Sequence, residues 1–123
     1  MCTIICKFFP DINSWCGVKN RDRSYIPEIS FKQSIDDGIE TLLFWDDFSK
    51  YCEGMNHAGI CIMSSSLMGL DDETTSLRRK TISKHGIKIK KALGLSDVKE
   101  AAMCLIEQKL PSNTLIFDKN IPL

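Results

Sequence analysis

Apolar and polar positions alternate with a period of two along much of the first half of the chain. Thr3 to Phe9 is apolar and β-branched, and it reads as a strand. Pro10 to Ser14 supplies Pro, Asp, Asn and Ser, the residues of a turn, and Trp15 to Lys19 reads as the returning strand of a hairpin. Ile29, Phe31, Gln33 and Ile35 fall on one side of the next run, while Ser30, Lys32 and Ser34 fall on the other. Asp37-Gly38 then signals a tight turn, with Ile39 to Trp45 as the return strand and Asp46, Asp47 and Ser49 as a further turn. Gly54 to Gly59 reads as a turn before an apolar strand over 59–66.

The pattern changes after Leu70. Asp71 to Lys84 is charged and without period, and it reads as a loop. Gly86 to Leu93 suits a short helix stopped by Gly94. Val98, Ala101, Ala102, Leu105 and Ile106 recur at helical spacing, so a second helix is expected over 97–109, with Ser96 as its N-cap. Thr114 to Phe117 reads as a last strand. Antiparallel strands followed by helices and one more strand predict an α+β fold in one domain spanning residues 1–123.

Composition adds exclusions. Lys plus Arg and Asp plus Glu both number 16, so a neutral balance offers no electrostatic draw for nucleic acid. No apolar run approaches the ~18 residues of a membrane span, and the first ten residues do not resemble a secretory signal. A cytoplasmic setting is therefore expected, with the six cysteines as free thiols. Cys52, His57 and Cys61 form a C-x4-H-x3-C string, but it lacks the tight ligand pair of a zinc site; neither metal nor cofactor is expected.

The chemistry-bearing signal is at the start. Cys2 follows Met1, and removal of Met1 would leave a cysteine bearing a free α-amine. That amine titrates at about 7.7–8.0 and the thiol near 8.5, so one residue holds a nucleophile and a matched base. Lys19-Asn20-Arg21-Asp22-Arg23 follows the second strand and places cations where they would favour a thiolate, with Asp22 available to orient an ammonium.

Three elements in order resemble the N-terminal-nucleophile (Ntn) hydrolases of the choloylglycine hydrolase and penicillin V acylase group. They are Met-Cys-Thr at residue 1, the Gly-x-[Arg/Lys]-Asn-x-Asp string at Gly17 to Asp22, and Glu-Gly-Met-Asn-x-x-Gly at Glu53 to Gly59. Asn20-Arg21-Asp22 also resembles the NRDE-type proteins and acyl-coenzyme A:6-aminopenicillanate acyltransferase. The whole chain looks most like small Ntn-type proteins of T4-like phages. The resemblance implies an αββα sandwich and hydrolysis of a linear amide through an acyl-thioester at Cys2, with a small-molecule amide as substrate. It implies that Asp22 holds the α-amine, that Lys19 or Arg21 supplies the cation beside the nucleophile, and that Asn20 and Asn56 serve the substrate or oxyanion. Ser66, with Ser65 beside it, falls where the hydrolases carry an oxyanion-hole asparagine. Those hydrolases run to two or three times this length, so the chain is expected to represent their N-terminal half, as a fragment or short relative working as a homo-oligomer or with a separate second half. The rival expectation is a non-catalytic binding or assembly module on the same fold.

Overall fold

The computed structural model describes residues 2–21, 25–66, 84–110 and 112–119. The charged segment expected as a loop over 71–84 lies almost wholly outside them. Strands β1 (Thr3–Phe9) and β2 (Ser14–Asn20) form a two-stranded antiparallel sheet, in which Thr3 opposes Asn20 and Phe9 opposes Ser14. A 3-10 turn, Pro10–Ile12, joins them. Asn13 closes it in the left-handed region (φ 46°), donating its N–H to the Pro10 carbonyl at 3.1 Å.

Five further strands make an antiparallel sheet in the order β3 (Ile29–Asp36), β4 (Ile39–Asp46), β5 (Cys52–Asn56), β6 (Cys61–Ser66) and β7 (Ser112–Phe117). Asp37 and Gly38 both have positive φ, 50° and 78°, as the two-residue turn between β3 and β4 demands. Helices α1 (His85–Leu93) and α2 (Val98–Glu107) complete the described elements, and the class is α+β.

Strand alternation sorts the five-stranded sheet into two faces. Leu43, Cys52, Ile62 and Ile116 point to the helices and join Ile60, Ile89, Ala92, Leu93, Ala101 and Leu105 in the core. The opposite face carries Phe44, Glu53, Met55, Cys61, Met63 and Phe117, and the β1–β2 hairpin lies across part of it. Gly17 marks the contact: a Cβ there would sit 2.7 Å from Met63 Sδ and 3.0 Å from Phe117 Cζ, so no side chain fits between the sheets. The hairpin leaves part of that face open, and Phe31, Ile35 and Met55 remain exposed.

Two expectations are corrected. The segment read as a turn before 59–66 contains a strand, β5, which is hydrogen-bonded between β4 and β6 at the sheet's centre. Its Cys-Glu-Gly-Met-Asn sequence has little intrinsic strand preference, and pairing on both sides overrides that. The N-cap of α2 is Asp97, not Ser96: its carboxylate accepts from the N–H groups of Lys99 and Glu100, both at 2.9 Å. A carboxylate there satisfies orphan donors and opposes the positive end of the helix dipole.

Candidate functional site

The inner face of the hairpin consists of Ile4, Cys6 and Phe8 on β1 and Trp15, Gly17 and Lys19 on β2. Arg21 directly follows β2 and reaches Glu53 on the facing sheet, and Cys2 directly precedes β1, whose first paired residue, Thr3, opposes Asn20. Between this face and the sheet lies a groove of about 430 Å³. Ile29, Phe44, Met55 and Met63 give it apolar walls, and Lys19, Arg21 and Glu53 form one charged corner.

That corner is a buried ionic cluster. Lys19 donates to Glu53 Oε1 and to the main-chain carbonyl of Ser64. Arg21 donates to Glu53 Oε2 at 2.5 Å, and its other terminal nitrogen lies 4.0 Å from Asp46 Oδ2. Side-chain exposure is 3% for Lys19, 9% for Glu53 and 0% for Asp46, so solvent screens these charges poorly. Removing one member of such a cluster strands the rest, at a cost of about 3–5 kcal/mol. Asp46 is fixed in turn by the Tyr25 hydroxyl at 2.7 Å and the N–H groups of Phe48 and Ser49, both at 3.1 Å. Burial opposes its charge, but the hydrogen bonds from Tyr25, Ser49 and Phe48 outweigh burial and hold the carboxyl below the usual range.

The expected site residues separate. Lys19 and Arg21 meet at Glu53; Cys2 immediately precedes β1 at the same end of the hairpin and is not among the described residues that line the groove. Asp22 lies outside the described residues. Asn20 alternates with Lys19 and Arg21, so it is exposed on the hairpin's outer face, away from the groove. Asn56 faces the helices and has no donor left for a substrate. Its two amide hydrogens go to the carbonyls of Leu93 and Leu95, both at 2.8 Å, and its oxygen accepts the Ile60 N–H at 3.0 Å. Ser65 is buried on the hairpin-facing side of β6, opposite Asn113. Ser66 ends β6 opposite Ser112, and only its backbone is described.

Glu53 and Asp46 were not singled out for a role by sequence reasoning. The available signal was one acidic residue inside the apolar run Tyr51 to Met55, because a buried carboxylate requires partners. A second polar pair also emerges only in three dimensions. Ser64 Oγ lies 2.9 Å from His85 Nε2, with both residues buried. His85 Nδ1 accepts the Cys52 N–H at 3.2 Å, which assigns the ring proton to Nε2 and makes Ser64 the acceptor. A serine hydroxyl that accepts a hydrogen bond from histidine is not being activated as a nucleophile, so the pair ties α1 to β5 and β6.

The Cys52, His57 and Cys61 string is dispersed: Cys52 faces the helices, Cys61 faces the hairpin, and His57 is exposed with Nδ1 accepting from Glu40 N–H at 2.8 Å. Among the described residues no group of three His, Cys, Asp or Glu side chains could hold a metal ion. Burial pushes the thiols of Cys52 and Cys61 up to about 12 each, which makes them inert. No described helix is long and apolar enough to cross a membrane. No family model, curated protein or solved structure matches the chain.

Proposed function

We propose that this chain is an Ntn-type hydrolase domain that cleaves a linear carbon–nitrogen amide bond with Cys2 as nucleophile. The observation that supports the reading is the buried cluster of Lys19, Arg21 and Glu53 at one corner of a groove with apolar walls, at the end of the hairpin where β1 begins one residue after Cys2. After loss of Met1, the α-amine takes the thiol proton as sulfur attacks the carbonyl carbon. The carbon–nitrogen bond breaks, the ammonium protonates the leaving amine, and an acyl-thioester remains on Cys2. Water, deprotonated by the same amine, attacks that ester. The carboxylic acid leaves and the thiol is restored. The acyl group occupies the groove against Phe44, Met55 and Met63. The hairpin and the five-stranded sheet serve as the two β layers of an αββα sandwich, and a cytoplasmic setting suits six unpaired cysteines.

A second reading, a binding module on the same fold without turnover, is favoured by one observation: both donors of Asn56 are committed to Leu93 and Leu95. Intact mass and acyl trapping separate the two. The hydrolase reading expects a mature chain lacking Met1 and an acyl adduct on Cys2 after exposure to an activated acyl ester or amide, absent in Cys2→Ala. Retained Met1 removes the proposed base and leaves only the binding module.

A further inference from the structure

Strand β3 is an edge of the five-stranded sheet, and no described strand pairs with its outer side. Its hydrogen-bonding parity is fixed at both ends. Glu28 accepts the Asp47 N–H at 3.0 Å, and the Asp37-Gly38 turn closes on the Asp36–Ile39 pair. Between them the Ser34 carbonyl also faces β4, accepting from the Thr41 hydroxyl at 3.4 Å. Main-chain groups alternate along an antiparallel strand, so those of Ile29, Phe31, Gln33 and Ile35 point away from β4 to the open edge. The same residues carry their side chains on the hairpin-facing side of the sheet, where Phe31 and Ile35 are exposed.

We propose that β3 is the interface of a two-fold homodimer, in which the five-stranded sheets of two copies join edge to edge into one continuous sheet. The edge is self-complementary. Phe31 and Ile35 stand symmetrically about Gln33, so a second copy running antiparallel, with the two-fold axis at Gln33, sets each Phe31 opposite Ile35 of the other copy. Gln33 then faces itself, and the outward N–H and C=O groups of all three residues are exchanged in hydrogen-bonded pairs. Charge agrees with this register. Lys32 comes diagonal to Asp36 of the second copy, a separation that a long side chain spans, and both side chains are half-exposed in the monomer. The two Lys32 ammoniums are diagonal neighbours as well, but each also has Asp47 of its own chain at 3.9 Å. Slipped by two residues one way, the edges would bring Lys32 against itself and Glu28 against Asp36, which like charge opposes. Slipped the other way, Phe31 would face the turn residue Asp37 and both apolar pairs would be lost. The proposal is independent of the chemistry at Cys2.

The test reads mass and register in the full chain. Light scattering of the wild-type chain is expected to show a mass that rises about twofold with concentration and then stops. Gln33→Pro removes an outward-pointing N–H and leaves the β4 ladder alone, as proline on an edge strand can, so its mass is expected to stay that of one chain. Disulfide trapping, with oxidised glutathione as oxidant, reads the register. Gln33→Cys is expected to cross-link to itself, because residues of a hydrogen-bonded pair stand about 5.5 Å apart at Cα, within the range of a disulfide. Phe31→Cys alone is expected not to, since its two copies lie about 14 Å apart, whereas Phe31→Cys mixed with Ile35→Cys gives the mixed dimer. The wild-type chain sets the background from the exposed Cys16. If Gln33→Pro unfolds, shown by labelling of Cys52 and Cys61, the trapping pattern decides. A wild-type mass that stays monomeric or grows past the dimer overturns the proposal, and so does self-trapping of Phe31→Cys as readily as of Gln33→Cys.

Discussion

The side-chain amide of Asn56 donates to the carbonyl of Leu93 across 2.8 Å, joining the end of β5 to the last residue of α1. The same nitrogen reaches Leu95 and the oxygen holds Ile60, so one buried side chain fixes the helix layer, the loop after it and the turn into β6. Asn56→Ala leaves two carbonyls and one N–H without these partners. It is expected to cost about 3 kcal/mol, since each buried group left unsatisfied costs about 1–3 kcal/mol. Urea unfolding measures it; a loss below about 0.5 kcal/mol would show that water replaces the amide.

Thiol accessibility should rank Cys2 first among the inward-facing cysteines. Cys52 and Cys61, both pushed up to about 12, should resist limiting iodoacetamide at neutral pH until the chain unfolds. Labelling of Cys52 before Cys2 would contradict the packing of β5 against α1.

Acid should reveal the Tyr25–Asp46 bond. The folded-state pKa of Asp46 is depressed, so its stabilisation is present above the unfolded value near 3.9 and is lost as pH falls through the lower folded value. Tyr25→Phe removes one hydrogen bond that favours the carboxylate. The folded pKa then rises toward the unfolded one, and the stability gained between low and neutral pH shrinks by about 1–2 kcal/mol. Denaturant melts at pH 3 and pH 7 test this. An unchanged difference between the two pH values would remove Tyr25 from the account.

Gly86→Ala sets helix propensity against packing. Alanine gains about 1 kcal/mol in helical preference. Its Cβ, however, would lie 2.1 Å from Trp45 Cη2, and overpacking a filled core costs about 1–3 kcal/mol. The Lys32 ammonium also lies over the Trp45 ring, 4.5 Å from its centroid. The expected result is a melting temperature lower by several degrees, and a rise would show that the ring swings aside freely.

Phe31 and Ile35, 68% and 69% exposed, lie on the part of the sheet face that the hairpin leaves open, and an apolar face next to the edge strand β3 favours association. Concentration-dependent light scattering is expected for the wild-type chain and is reduced in Phe31→Thr/Ile35→Thr. Identical monomeric scattering from both would show that this face needs no cover.

Local information was enough for what depends on neighbouring residues. The alternation through Ile29 to Ile35, the Asp37-Gly38 turn, the Pro10 to Ser14 turn and the helical stripe from Val98 to Ile106 each encode an element whose signal, a periodicity or a turn residue, lies within a few positions. The same local reading drew Lys19 and Arg21 together, because alternate residues of a strand share a face. Only the tertiary structure decided what those charges meet. Lys19 and Glu53 are 34 positions apart, and Ser64 and His85 are 21 apart; nothing local pairs them. β5 was hidden because Cys-Glu-Gly-Met-Asn has little strand preference of its own and becomes a strand by pairing with β4 and β6 on both sides. Asn20 and Asn56 belong to motifs but face away from the groove. A motif records which residues are near in sequence, whereas the pleat of a strand and the docking of a helix decide which way each side chain points.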